Sequence, residues 1–186
     1  MPEEQHLNEE LRFAVVENIT PVGKGTRVCI DTADILTPTE GVLAGNTGHG
    51  YLLILSENRA SAAYPPRTFR INAGGVHQYL FQQDHTRYLE EIRGGETLTI
   101  YNGTEPKEVP VGRVKMEKRE LVRVETNWHG ERISATVQQA DSVTFLKEDA
   151  TAVSITELEA GDRICCYPDQ PGRHLGEKIT EDITEW

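Results

Sequence analysis

Cysteine is scarce and poorly spaced for cross-linking: the 186 residues hold Cys29, Cys165 and Cys166, an odd number with two adjacent. No C-x-x-C pair exists, so neither a disulfide framework nor a thiolate zinc site is indicated. Reduced thiols are expected, with Cys165 and Cys166 facing opposite sides of a strand and one of them buried as a small hydrophobe. Long hydrophobic runs are missing as well, and nothing approaches the roughly 18 to 20 apolar residues that span a bilayer. The start, Met1 to Glu10, is acidic rather than basic and then apolar, so no leader is read there and the expected location is cytoplasmic. Basic residues are few, 19 against 30 acidic, and a formal charge of −11 repels both nucleic acid and anionic membrane. Familiar catalytic signatures are also missing: no G-x-S-x-G, no H-E-x-x-H, no phosphate-binding G-x-x-x-x-G-K-[ST] and no G-x-G-x-x-G after a strand. Gly45-Asn46-Thr47-Gly48-His49-Gly50 could cradle an anion on successive N–H groups, but a tight hairpin is the plainer reading.

What is present is a succession of short β-type runs separated by Gly, Pro, Asn or Asp. They include Leu11–Ile19, Arg27–Asp31, Tyr51–Leu55, Val76–Phe81, Thr97–Tyr101, Val109–Glu117, Leu121–Glu125, Arg132–Gln138, Val143–Leu146, Arg163–Tyr167 and His174–Ile179. Breakers such as Pro21-Val22-Gly23 and Gly94-Gly95 leave no window for a helix above about twelve residues. A weak repeat aligns Tyr88–Leu98 with Ser154–Ile164, each copy a short helical turn with two apolar residues, then a Gly-acid corner feeding a strand. The fold predicted is mainly β, with two related small β-barrel-like modules packed on an N-terminal β-rich segment. The divisions are 1–10 as a fraying start, 11–84 as the β-rich segment and 85–186 as the tandem modules.

Several side chains could carry chemistry. Across Pro65 to His77, period-2 alternation sets Phe69 and Ile71 toward the core and Thr68, Arg70 and Asn72 on the other face. Arg67 and Arg70 offer fork-shaped donors for a carboxylate or phosphate, and the competing reading is ordinary surface pairing with some of the acids. His77 lies between apolar neighbours, either as a satisfied core residue or as a ligand or base with a tuned pKa. On the run Val111 to Glu117, Arg113, Lys115 and Glu117 share one face and Gly112, Val114 and Met116 the other. That face is either solvated or a cleft in which Lys115 and Glu117 act as an acid-base pair or a ketone-attacking amine. His77 and His174 with an acid such as Asp31 or Glu117 would make a mixed nitrogen and oxygen site for a divalent ion.

Six blocks then resemble, in order, the C-terminal half of archaeal-type 3-dehydroquinate synthase II. They are Arg27–Thr32, Gly41–Gly45, Pro66–His77, Thr86–Leu89, Val111–Arg119 and Gly172–Gly176, within a likeness running from about Phe13 to Trp186. Thr68 and Glu120 stand where that family pattern has Pro. The resemblance implies ring closure of a small anionic amino-keto acid, either to 3-dehydroquinate with NAD or to an aminohydroxybenzoate with a divalent metal such as manganese. It implies Arg67, Arg70, Asn72, Arg113 and Arg173 as substrate contacts and His77, Lys115, Glu117 and His174 as proton carriers, with His77, His174 and Glu117 as metal ligands. Full-length members have a further N-terminal half, and no dinucleotide fingerprint for NAD exists in this chain. The expected partners are the keto acid and either a second copy or a separately encoded N-terminal half. A non-catalytic module dependent on that half, or a small-anion-binding protein, is the alternative.

Overall fold

The computed structural model describes residues 11–60, 65–102, 105–170 and 183–186, and residues 173–174 and 177–178 as backbone only. Most of the apolar and alternating runs form strands; Val76–Gln78, read as the start of one, is a turn, and residues 175, 176 and 179 of the His174–Ile179 run lie outside the described residues. The strands are β1 (Arg12–Thr32), β2 (Gly41–Gly45), β3 (Gly50–Leu55), β4 (Arg70–Gly75), β5 (Tyr79–Phe81), β6 (Thr86–Tyr88) and β7 (Thr97–Ile100). After these come β8 (Lys107–Trp128), β9 (Glu131–Gln138), β10 (Thr144–Leu146), β11 (Ala152–Ser154), β12 (Arg163–Pro168), β13 (Arg173–His174) and β14 (Glu177–Lys178). A single 3-10 turn at Leu89–Glu91 is the only helical element among the described residues. None of their helices is long and apolar enough to cross a membrane.

Two long antiparallel strands organise the rest. β1 and β8 pair from Val15 opposite Asn127 to Thr32 opposite Val111. Two runs expected as separate strands on each side thus join into one. Pro21-Val22-Gly23, read as a break, is instead a bulge where the register shifts between Pro21 and Gly23. Pro lacks a ladder donor but is tolerated on a strand edge or at a bulge, and Gly23 supplies the required φ of +91°. The main path is β6-β5-β2-β3-β12-β1-β8-β7, with β4 on the end of β1, β9 on the end of β8, and β10 with β11 beside β3.

Two expectations are corrected here. The tandem barrel-like modules do not form as separate closed units; one open sheet forms instead, because strands from either side of residue 84 interleave in it. β12, for example, lies between β1 and β3. Central strands of this kind are buried on both faces and read as continuous apolar runs. In β3, Leu52 and Ile54 face the larger core, while Tyr51, Leu53 and Leu55 face a second cluster with Leu43 and Phe81. For the same reason both adjacent cysteines are buried, Cys166 in the larger core and Cys165 in the smaller. Each such leucine contributes about 1.5–3 kcal/mol by burial, and truncating Leu52 or Leu53 to Ala would cost about 2–5 kcal/mol.

The repeated corner is present in both copies. Leu89 and Ile92 in one, and Ile155 and Leu158 in the other, are buried. Gly95 and Gly161 adopt φ of +90° and +97°. The following acid accepts from the backbone three residues earlier, Arg93 N to Glu96 Oε1 at 3.0 Å and Glu159 N to Asp162 Oδ2 at 2.9 Å. Each corner then docks on a long strand by a two-bond exchange, Gly95 and Glu96 with Val111, Gly161 and Asp162 with Val16. The repeat therefore anchors one corner to β8 and the other to β1.

Candidate active site

The end of β1 lies between β4 and β8, and its register stacks polar side chains in three cross-strand rows. Asp31 is opposite Arg70 and Arg113, Cys29 opposite Asn72 and Lys115, and Arg27 opposite Gly75 and Glu117. Directly opposed residues of antiparallel strands project to the same side, so eight side chains share one face. The other face, carrying Val28, Ile30, Ile71 and Ala73, lies in the core. The alternation read from the sequence for Arg70 and Asn72, and for Arg113, Lys115 and Glu117, holds, and the fold brings these five residues together.

Asp31 anchors the first row. Arg70 donates to it through Nε at 2.8 Å and Nη2 at 3.1 Å, and Arg113 donates through Nε at 2.7 Å. Burial pushes the Asp31 carboxyl up, but these bonds outweigh it and hold its pKa below the ordinary value. Arg113 is 63% exposed at its side chain. Held to Asp31 through Nε, it lines a cleft of about 520 Å³ together with Asp31, Thr32, Asp34, Ile35 and Phe69, among others. That volume is in the range of small-ligand sites.

In the middle row, burial raises the Cys29 thiol to about 11 against the opposing charge of Arg27. Asn72 donates to Gln138 Oε1 at 2.8 Å, whereas its Oδ1 is buried without a hydrogen-bond partner, as is Nε of Arg27. In the third row Arg27 donates to Glu117, and Arg119 donates to the same carboxylate at 3.0 Å. Lys115 Nζ stands 3.9 Å from Glu117. The charge of Arg27, ahead of those of Arg119 and Lys115, keeps the Glu117 carboxyl below its ordinary range. Glu117 is therefore an ionised carboxylate with the Lys115 side chain beside it.

Glu57, buried at the margin of this face, was not singled out by sequence. Its backbone N–H donates to Arg70 O, and it accepts from Arg67 at 3.2 Å. Burial raises its carboxyl despite Arg67. The sequence signal that could have found it is weak, since one acid in Ser56-Glu57-Asn58 looks like any loop acid. Arg67 thus belongs to the rim of the face through Glu57.

His77 bonds the hairpin after β2, while its ring sits where a Cβ on Gly75, at the end of the third row, would point. Its Nε2 is 2.7 Å from the Asn46 amide, and the orientation that satisfies every neighbour has Asn46 donating to Nε2 while its oxygen accepts from Ser134. That leaves His77 neutral, consistent with a pKa lowered by burial and then by Arg123. The described residues contain no group of three His, Cys, Asp or Glu placed to hold a metal. Glu117 faces two guanidiniums and an ammonium, a poor setting for a cation ligand. Arg173 and His174 lie on the β13–β14 pair, but their side chains are outside the described residues. The glycine-rich loop is the hairpin between β2 and β3, and Gly48 N also donates to Glu185 Oε1 at 2.6 Å.

Residues 13–186 match the family model described as the 3-dehydroquinate synthase II C-terminal domain. The chain is 38% identical to a 3-dehydroquinate synthase of Methanothrix thermoacetophila over 177 residues, covering 95% of this chain and 49% of the relative. A 3-dehydroquinate synthase of Methanococcus maripaludis is 37% identical over 186 residues, with 97% and 52% covered. One from Methanospirillum hungatei is 37% identical over 179 residues, with 95% and 55% covered. The chain spans about half the length of these curated relatives. No solved structure matches it.

Proposed function

This chain belongs to the 3-dehydroquinate synthase II family as its C-terminal domain, and from that premise we propose that it supplies the binding and proton-handling face for ring closure of a small anionic keto acid. The observation that carries the reading is the outward row of Arg113, Lys115 and Glu117 beside the Asp31 cleft. Arg113, oriented by Asp31, binds a substrate carboxylate through its terminal nitrogens. Lys115 hydrogen-bonds the ketone oxygen and stabilises the charge that builds there. Glu117, kept ionised by Arg27, accepts the proton next to a carbonyl. The resulting carbanion adds to the ketone carbon, forming the ring bond, and the alkoxide takes a proton from Lys115. Arg70 and Asn72 act as positioning residues on β4, and the buried Asn72 Oδ1 is available to a substrate hydroxyl. Hydride transfer to NAD and metal chemistry are assigned to none of these residues.

The length relation favours a second reading, in which the face becomes competent only beside the N-terminal half that the relatives carry. One experiment separates the two. Linear amino-keto acids are supplied to the chain alone and to the chain with the N-terminal half of the Methanothrix relative, with and without manganese and NAD, and ring formation is followed by ultraviolet absorbance and mass spectrometry. Glu117→Gln is expected to slow turnover about a hundredfold to ten-thousandfold, and Arg113→Ala to weaken binding with a smaller effect on turnover. If neither form consumes substrate, and calorimetry gives wild type and Arg113→Ala the same affinity for candidate acids, the reading fails.

A further inference from the structure

The site face is closed on one side and open on the other. Asp31 and Arg27 expose 3% and 8% of their side chains, whereas Arg113 and Lys115, on β8, expose 63% and 43%. The open side is also a strand edge that is unpaired among the described residues. β7 accompanies β8 only as far as Pro110, and β9 joins it from Leu121. Between them, no described strand pairs with the outer edge.

The direction of the backbone groups along this edge follows from two hydrogen bonds. Thr26, opposite Lys118, accepts from Val76 through its carbonyl and so points away from β8. Thr26 and Lys118 are therefore a non-hydrogen-bonded pair, and the N–H and C=O of Lys118 point away from β1. Glu120, two residues on, agrees, because its carbonyl accepts from Gln139 on the outer side. From Arg113 to Leu121 the register has no shift, so alternation places the groups of Met116 and Val114 outward too.

A second free edge, Glu17 to Gly25 of β1, is protected: Pro21, two register shifts and the positive φ of Gly23 spoil it for pairing. Between Arg113 and Leu121 the β8 edge has no proline, register shift or positive φ, and charge is its one protection. Its side chains from Arg113 to Glu120 are four basic and two acidic in a chain of net charge −11. Two copies paired antiparallel would each bring this net basic edge, with Arg113 opposite Arg119 when centred on Met116, so the excess of basic side chains suits an acidic strand better than a second copy.

We infer that the β8 edge from Arg113 to Arg119 receives an acidic strand of the family's N-terminal half by strand addition, closing the open side of the site. The inference rests on the functional reading for the site it closes, and on the relatives' doubled length for its occupant. Backbone bonds to Val114, Met116 and Lys118 would give the affinity, and the flanking side chains the specificity.

Amide hydrogen exchange tests it. In this chain by itself the outward amides of Val114, Met116 and Lys118 should exchange rapidly, while the inward amides of Lys115 and Glu117 are protected by β1. With the N-terminal half of the Methanothrix thermoacetophila relative fused ahead of this chain, the three outward amides should slow about a hundredfold or more. Met116→Pro and Lys118→Pro remove only outward donors, so each should abolish that slowing at the other edge amides while the variant's own melting temperature moves by a few degrees. If a proline variant does not fold, the wild-type fusion decides alone. Outward amides that exchange equally fast in chain and fusion overturn the inference. So does protection in the lone chain that rises with its concentration, which would mark a second copy. Turnover is a separate readout: protection without turnover counts against the catalytic reading only, and turnover without protection against this one only.

Discussion

Arg70 grips Asp31 through two parallel hydrogen bonds, Nε to Oδ1 at 2.8 Å and Nη2 to Oδ2 at 3.1 Å. The fork that the sequence offered to a substrate anion is thus engaged by a carboxylate of the protein, across the β1–β4 ladder. Asp31 in turn holds Arg113 through Nε, and Arg113 lines the cleft. Arg70 therefore acts on the site through Asp31.

Removing Arg70 leaves the buried Asp31 carboxylate with one exposed partner. Arg70→Ala is expected to destabilise the chain by about 3–5 kcal/mol, and Arg70→Lys, which keeps the charge but loses the fork, by less. Urea unfolding measures both. A loss under about 1 kcal/mol for Arg70→Ala would show that the pair is solvated.

The acid limb of stability should follow Asp31 and Glu57 with opposite signs. Asp31 has a folded pKa below its unfolded one, so its contribution is complete above about pH 4 and is lost as pH falls through the folded value. Glu57 has a raised folded pKa, so the folded chain keeps a proton that the unfolded chain releases, and stability declines as pH rises from about 4.5 through the raised value. Asp31→Asn should flatten the loss below pH 4, and Glu57→Gln should remove the decline above 4.5. Urea midpoints across that range report each limb.

All three thiols should resist alkylation in the folded chain. Each is buried, and burial raises Cys29 to about 11 and Cys165 to about 12. Iodoacetamide near pH 8 should label none of them natively and all three in denaturant, as counted by mass spectrometry. Rapid native labelling of Cys29 would mean that the middle row of the site opens readily.

The two repeated corners should respond alike to one substitution. Gly95 and Gly161 share a positive φ, and an added Cβ would meet nothing within 4 Å at either. Ala at each should therefore cost only the left-handed penalty, about 1–2 kcal/mol, with Asn costing less. Unequal losses in urea unfolding would show that the corners are not equivalent.

Sequence by itself determined the strand content, the absence of long helices, the repeated corner and the pairing of Arg113, Lys115 and Glu117 on one face, because alternation and turn chemistry are local. The ordered blocks also carried the family. Sequence could not join Leu11–Ile19 to Arg27–Asp31 across Pro21-Val22-Gly23, since a bulge and a turn have the same local composition and only a partner strand decides between them. Nor could it separate a solvated row from a site. That depended on β1 lying between β4 and β8, which sets Asp31 against Arg70 and Arg113 and buries Glu57 beside them, residues distant in the chain whose pairing is fixed by register. His77 followed the same logic: its apolar neighbours left open a satisfied core residue or a ligand or base, and its partner Asn46, on the hairpin after β2, is visible only in the folded chain.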